Sequence, residues 1–176
     1  MIRTARLLLR PVRPEQDLAA MHAIMQQPRA MAYWSTPPHD SEGQTREWLA
    51  NMAEIEPAQG EDFIVECDGQ VIGKAGFYRF PDLGYLFDPA VWGQGLAREA
   101  VRAVIERGFA VHGLPRVTAD VDPRNKASMR LLDRLGFTET HRQARTWLVG
   151  DMWCDSVYYA LTSEAFVTGN RDQRTA

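Results

Sequence analysis

Residues 84 to 99, Gly-Tyr-Leu-Phe-Asp-Pro-Ala-Val-Trp-Gly-Gln-Gly-Leu-Ala-Arg-Glu, join an apolar segment to a helical pattern through a turn with two glycines. We expect a strand that ends at Phe87 and a helix that begins after Gly95. The first backbone N–H groups of a helix lack intrahelical partners and lie at the positive end of its dipole. Gly93 and Gly95 carry no Cβ that would keep a ligand from the backbone. The segment therefore predicts a site for an anion such as a phosphate.

The rest of the chain predicts one mixed α/β (α+β) domain. The order is a strand, two helices, three antiparallel strands, a helix, a strand, a helix and two final strands, which gives seven strands and four helices. Ser41 with Gln44 forms a capping box, and Asn125 and Gly136 mark the start and end of the fourth helix. We expect the domain to span residues 1–167 and residues 168–176 to form a disordered tail.

Composition and charge exclude several classes of protein. The 176 residues have a net charge of −3, which gives no electrostatic footprint for nucleic acid or an anionic membrane. No apolar run has the length of a signal peptide or a membrane span. The two cysteines, Cys67 and Cys154, lack metal-ligand spacing. We therefore expect a cytoplasmic protein without a metal site, nucleic-acid partner or membrane partner.

The glycine turn fits one of three nucleotide-binding patterns. A Walker loop requires Gly-Lys-Ser/Thr, but Leu96 and Ala97 follow Gly95. A dinucleotide fingerprint requires a third small residue where Arg98 stands. The remaining pattern is a pyrophosphate turn that ends in Gly-x-Gly-x-Ala, preceded by a strand that is open for a ligand to pair with.

Three segments together resemble the GNAT superfamily of acetyl-CoA-dependent N-acetyltransferases, and within it the RimJ/RimL-like branch of ribosomal-protein N-terminal acetyltransferases. The similarity runs from Thr4 to Phe166 and rests on residues 4–11, 82–100 and 121–137. It implies a single GNAT-type domain with a mixed, mostly antiparallel central sheet. That sheet is expected to splay between its fourth and fifth strands, and the resemblance also suggests a homodimer.

The resemblance implies that acetyl-CoA is the cofactor and indicates which residues hold it. The pantetheine arm would pair with the backbone of Leu86, Phe87 and Asp88. Asn125 and Ser128 would face the thioester. The pyrophosphate would bind backbone N–H groups of the glycine turn and the helix start, with help from the side chain of Arg98. The residues that give these N–H groups are Trp92, Gly93, Gln94, Gly95, Leu96 and Ala97.

Acetyl transfer to an amine requires a base, an oxyanion donor and a proton for the leaving thiolate. Asp82 matches an acidic position of this branch and is the predicted base, with Glu66 and Asp120 as alternatives. The N–H of Phe87 is the predicted oxyanion donor. Many family members have an acid tyrosine in the fourth helix, where this chain has Leu132. The acid role therefore falls to Ser128 or to water.

Aromatic residues and one carboxylate predict the acceptor pocket. Its candidates are Tyr33, Trp34, Tyr85, Trp153 and Asp155, with Tyr78 and Trp147 as further aromatic side chains. The same aromatic residues are also typical of a protein core, and Asn125 is also a typical helix cap. The four histidines have no partner spacing and are predicted to lie on the surface without a role.

By resemblance, the acceptor is a protein or peptide N-terminal α-amine. A small amine, such as an amino acid, a polyamine or an antibiotic, is the alternative acceptor. An alternative from another functional class is a module that binds acyl-CoA without catalysis. It is considered because Leu132 stands where many family members have the acid tyrosine.

Overall fold

The computed structural model describes the backbone of residues 1–172 and the side chains of residues 1–168. Eight strands form one sheet in the order β1-β2-β3-β4-β5-β6-β8-β7. The strands are β1 Ile2–Arg3, β2 Leu7–Arg10, β3 Glu61–Cys67, β4 Gln70–Arg79, β5 Asp82–Phe87, β6 Arg116–Val121, β7 Thr138–Val149 and β8 Met152–Thr162. The helices are α1 Pro14–Met25, α2 Pro28–Met31, α3 Glu42–Ala53, α4 Leu96–Ala110, α5 Lys126–Arg134 and α6 Ser163–Asp172.

Besides the 3₁₀ turn Pro89–Val91, three elements go beyond the predicted seven strands and four helices. They are β1, which has two residues, α2, which has four, and α6. The first two are too short to show a hydrophobic period in the sequence. Helix α6 includes residues 168–172, so the structure differs there from the predicted disordered tail. The remainder of that tail, residues 173–176, lies outside the described residues.

The sheet opens between β5 and β6, the fourth and fifth strands of the predicted series. These neighbours run parallel and pair only at Asp82 and Thr118 in the described chain. The backbone N–H of Thr118 also donates to the carbonyl of Pro81 at 3.0 Å. Away from this contact β5 pairs with β4, and β6 pairs with β8. The predicted splay is therefore confirmed, and it leaves one edge of each strand open.

Helices cover both faces of the sheet. Apolar residues of α1, α2 and α3 pack with Ile64 and Leu86 on one side, here called the α1 face. Residues of α4, α5 and α6 pack with Leu83 and Phe87 on the other side, here called the α4 face. Because side chains alternate along a strand, consecutive residues of β5 and β6 lie on opposite faces at the opening.

A buried ion pair lies beneath the helices of the α1 face. Lys74 Nζ is 2.6 Å from Asp62 Oδ2, and the two side chains are 2% and 3% exposed. Burial raises the pKa of Asp62 above its ordinary value, although Lys74 acts against this shift. Lys74 Nζ also lies 5.7 Å from the ring centroid of Trp34, so the pair supports the loop after α2.

We expect Lys74→Met to lower the free energy of unfolding by about 3–5 kcal/mol, because it leaves the Asp62 carboxylate buried without a cation. The measurement is urea denaturation at neutral pH. Lys126→Met is the matched control, since Lys126 is exposed and should be replaced at little cost. The double variant Asp62→Leu/Lys74→Met should recover much of the loss. A Lys74→Met variant as stable as the control would contradict this role of the pair.

Candidate active site

The glycine turn at the start of α4 has the conformation that its sequence predicts. Gly93 and Gly95 have φ angles of 79° and 78°, in the left-handed region that favours glycine. Asp88 begins the turn, since its side chain accepts a hydrogen bond from the N–H of Ala90 at 2.9 Å. The bond from Glu99 N–H to the carbonyl of Gly95, at 3.1 Å, begins the helix. The N–H groups of Leu96, Ala97 and Arg98 therefore lack intrahelical partners and can face an anion, whereas that of Trp92 donates to the carbonyl of Pro89 at 3.3 Å.

The turn fits a pyrophosphate. A Cβ built on Gly93 meets no heavy atom within 4 Å, and one built on Gly95 meets only Arg6, at 3.6 Å. The backbone is thus open to a ligand rather than packed against the protein. Arg98 is exposed in the first turn of α4, where a cation can assist. These features suit the phosphate-binding role predicted for Trp92 to Arg98.

One of the three predicted pantetheine-binding residues presents its backbone to the opening. Asp88 N–H donates to the carbonyl of Ile72, beside β4, at 2.9 Å. Because backbone N–H groups alternate in direction along a strand, Leu86 also bonds toward β4, whereas the N–H of Phe87 points toward β6. The carbonyl of Phe87 accepts a bond from the Trp92 indole at 3.0 Å. The Phe87 N–H is therefore positioned to pair with a ligand in the opening.

Tyr85 and Ser128 meet across the opening on the α4 face. The two hydroxyl oxygens are 2.6 Å apart. Asn125 caps α5, because its side chain accepts from the N–H of Ser128 at 3.0 Å. Burial raises the pKa of Tyr85 to about 12, although the bond to Ser128 acts against this shift. The phenol is consequently neutral at physiological pH, and as the stronger acid it is the better donor of the pair.

Asp82 holds the sheet together at the point where it opens. One carboxylate oxygen accepts from the Thr118 hydroxyl at 2.6 Å, and the other accepts from Arg79 Nη2 at 2.8 Å. Both oxygens of the predicted base thus have partners within the protein.

Asp120 lies two residues after Thr118 on the same face of β6. Its Oδ2 atom accepts a bond from the Trp147 indole at 2.7 Å, which joins β6 to β7. Burial raises the pKa of the nearby Tyr78 hydroxyl above its ordinary value, and the charge of Asp82 adds to this shift while Arg79 acts against it. The third candidate base, Glu66, is instead paired with Arg10 at 2.6 Å.

The predicted acceptor residues are divided between the two faces. Tyr33 is exposed and Trp34 is half-buried, and both belong to the loop after α2 on the α1 face. Tyr85 lies on the α4 face with Ser128. The alternation of β8 puts Trp153 and Asp155 on the same side as Val157, away from Tyr33.

Asp155 has a structural partner in the hairpin of β7 and β8. Its carboxylate accepts from the N–H of Arg145 at 2.9 Å. Arg145 has a φ angle of 57° and lies where the strand register shifts. The guanidinium of Arg145 is 5.2 Å from the ring centroid of Trp153. The side chains of Asp155 and Trp153 are therefore held by contacts with Arg145 inside the hairpin.

Arg124 was not singled out in the sequence, although it lies beside the cap residue Asn125. Its guanidinium pairs with Asp122 at 2.5 Å and contacts Cys154 Sγ at 3.2 Å. It also lies 5.9 Å from the ring centroid of Tyr33. Arg124 thus connects the loop before α5 with β8 and with the loop after α2.

Of the four histidines predicted to lie on the surface, His141 is exposed, His22 and His112 are half-buried and His39 is buried. His39 is 8% exposed, and the Nδ1 atoms of His39 and His22 each lie 2.9 Å from the Thr45 hydroxyl. His112 Nε2 lies 2.7 Å from Glu61. The expectation was wrong for His39, because its ring contacts the Thr45 hydroxyl of α3 and its backbone N–H donates to the carbonyl of Met25 at 3.0 Å.

In residues 1–172, the structure has no helix whose length and apolar character would allow it to cross a membrane.

Comparison with known proteins agrees with the sequence and the geometry. Residues 6–138 match the model of the acetyltransferase (GNAT) domain. An uncharacterized N-acetyltransferase p20 of Bacillus licheniformis is 30% identical over 76% of this chain and 80% of that protein. Spermidine N(1)-acetyltransferase of Escherichia coli is 27% identical over 74% of this chain and 72% of that protein.

Solved structures share the fold. A GNAT-family acetyltransferase from Bacillus anthracis has a TM-score of 0.82 and 25% identity, covering 93% of this chain and 98% of that one. RimL, a ribosomal L7/L12 α-N-protein acetyltransferase solved with coenzyme A, has a TM-score of 0.80 and 19% identity, covering 92% and 97%. The chain therefore belongs to the GNAT acetyltransferase family and is an acetyl-CoA-dependent N-acetyltransferase.

Proposed function

We propose that this acetyltransferase transfers the acetyl group directly from acetyl-CoA to the α-amine of a protein or peptide N-terminus. The observation that carries the proposal is the distribution of polar groups at the opening of the sheet. Asp82 and Asp120 lie on the α1 face, and the Ser128 hydroxyl lies on the α4 face. An amine can therefore approach from one face while the thiolate leaves toward the other.

The cofactor supplies an activated thioester when it is bound. In this assignment the turn from Trp92 to Arg98 holds the pyrophosphate, and the N–H of Phe87 donates to the carbonyl oxygen as negative charge develops on it. The N–H is already directed into the opening by the sheet, so no reorganisation is required.

For the base, Asp120 is favoured over Asp82. Arg79 and Thr118 occupy both oxygens of Asp82, whereas the described partner of Asp120 is a neutral indole that bonds one oxygen. The free oxygen of Asp120 can accept a proton from an ammonium group, directly or through one water. Asp82 then serves to fix the point from which the strands separate.

For the leaving thiolate, Ser128 donates the hydrogen bond. The Tyr85 phenol donates to Ser128 Oγ and leaves the serine proton free to point at the sulfur. Such a chain of hydrogen bonds strengthens each member. The Tyr85–Ser128 pair thus compensates for Leu132, which is buried in the core where many family members have tyrosine. It also argues against a module that binds acyl-CoA without catalysis.

The pairing of carboxylates favours an acceptor with one positive charge. Asp62, Asp82 and Asp122 are each paired with a cation, namely Lys74, Arg79 and Arg124. A polyamine carries several charges and gains most from several unpaired carboxylates. An N-terminal α-amine requires one carboxylate, and Asp120 can provide it.

A small-molecule amine is the second candidate, and the similarity to spermidine N(1)-acetyltransferase supports it. A cytoplasmic location, a homodimer and the absence of a nucleic-acid partner stay predictions from the sequence.

A panel of acceptors tests the proposal. We expect release of free thiol from acetyl-CoA with peptides that have a free N-terminus, at a kcat/KM at least tenfold above that with spermidine or free amino acids. Peptides with a formylated N-terminus are the control and should give no turnover. Faster turnover of spermidine would contradict the proposal, and binding of acetyl-CoA without turnover on any acceptor would favour the non-catalytic module.

The two candidate bases can be separated by their pH profiles. We expect Asp120→Asn to lower kcat/KM about 10²–10⁴-fold, which is the usual contribution of a general base. The deficit should be largest at low pH, where most of the amine is charged, and should shrink as solvent deprotonates the amine. Asp82→Asn should cost activity to the same small extent at every pH. If Asp82→Asn instead showed the loss that grows at low pH and Asp120→Asn the constant loss, Asp82 would be the base.

The Tyr85–Ser128 pair predicts non-additive losses. We expect Tyr85→Phe and Ser128→Ala each to lower kcat about tenfold or more, and the double variant to be little worse than Ser128→Ala, because both act through one hydrogen bond. The loss for Tyr85→Phe should be constant from pH 6 to pH 9, since the phenol has a pKa of about 12. Tyr159→Phe, on the same face, is the control. Fully additive losses would show that the residues act separately.

A further inference from the structure

The corner between β1 and β2 is fastened to the first turn of α4. The Glu99 carboxylate accepts from the Thr4 hydroxyl at 2.6 Å and from the N–H of Arg6 at 2.9 Å. Its other oxygen accepts from Nε of Arg6 at 2.7 Å and lies 2.7 Å from Nη2. These donors lower the pKa of Glu99 below its ordinary value, although burial acts in the other direction. The carboxylate is therefore charged at neutral pH.

The same arginine reaches the glycine turn. Nη1 of Arg6 donates to the carbonyl of Gln94 at 3.0 Å. The guanidinium thus bonds Glu99 through one edge and the turn through another, which its rigid fork of donors makes possible. Half of the Arg6 side chain is exposed, so as a surface ion pair it contributes little to stability.

The bond to Gln94 determines which way one peptide group faces. In a trans peptide the C=O and the following N–H point in opposite directions. With the carbonyl of Gln94 held toward Arg6, the N–H of Gly95 faces away from Arg6. Gly93 and Gly95 make this turn easy to rearrange, because glycine enters many backbone conformations at little cost. A flipped peptide would present a carbonyl oxygen to the anion in place of a donor.

We propose that Arg6 is a positioning residue of the cofactor site, which fixes the Gln94–Gly95 peptide so that its N–H serves the pyrophosphate of acetyl-CoA. The proposal rests on the placement of the pyrophosphate at the glycine turn. Glu99 holds the Arg6 guanidinium in place, and the Thr4 hydroxyl in turn holds Glu99. The N-terminal corner is consequently part of the cofactor site, although it is about 90 residues from the turn in sequence.

Calorimetric titration with two ligands tests the proposal. Coenzyme A has the pyrophosphate, whereas acetyl-pantetheine carries the same arm without it. We expect Arg6→Ala to weaken the binding of coenzyme A at least tenfold and to change the affinity for acetyl-pantetheine less than twofold. Arg6→Lys should recover only part of the loss, because one ammonium group cannot reproduce the fork. Gly95→Val is the positive control for loss of the turn.

Arg102→Ala is the matched control, since Arg102 is an arginine of α4 that pairs with a glutamate of its own helix. It should leave both affinities unchanged. The amide resonance of Gly95 in an NMR spectrum should shift in Arg6→Ala and stay in place in Arg102→Ala.

Unchanged affinity for coenzyme A in Arg6→Ala would overturn the proposal, and so would equal losses for both ligands. If Gly95→Val also left coenzyme A binding unchanged, the pyrophosphate would not bind at the glycine turn. These measurements need no acceptor amine, so they are independent of which amine the enzyme acetylates.

Discussion

The single parallel contact between β5 and β6 is the constraint on which the site depends. The Asp82 carboxylate and the Thr118 hydroxyl bond at 2.6 Å, and the backbone of Thr118 bonds Pro81. Since the strands share no further registered pair in the described chain, each keeps an open edge beyond this point. An unpaired strand edge is a template for another extended chain. The proposed function uses this open edge to bind the extended pantetheine arm of the cofactor.

The opening also has different polar side chains on its two faces. Alternation along β5 and β6 directs Tyr85 to the α4 face and Asp120 to the α1 face. Helix α5 adds Ser128 on the first side, and β7 adds Trp147 on the second. In the proposed mechanism, the group that accepts a proton from the amine and the group that serves the thiolate are thereby kept apart. This separation suits direct transfer between two bound substrates.

The conformations of the glycine turn and of the α5 cap could be predicted because their signals are local. The turn at Gly93 and Gly95 requires positive φ angles, and the Asn125 cap bonds a residue three positions later. The acceptor residues could not be predicted in the same way. Tyr85 was expected in the acceptor pocket, but its position in the strand directs it to Ser128. Asp155 was expected to bind an amine, but a register shift between β7 and β8 gives it the N–H of Arg145.

The sequence by itself determined the strand–turn–helix segment, because backbone conformation and capping depend on neighbouring residues, and its resemblance to the GNAT superfamily indicated the family and the cofactor. Only the tertiary structure decided which side chains meet across the opening. The bond between Tyr85 and Ser128 and the attachment of Arg6 to Glu99 join residues that are 43 and 93 positions apart. Such contacts depend on the pairing and twist of the whole sheet, and no local pattern in the chain specifies them.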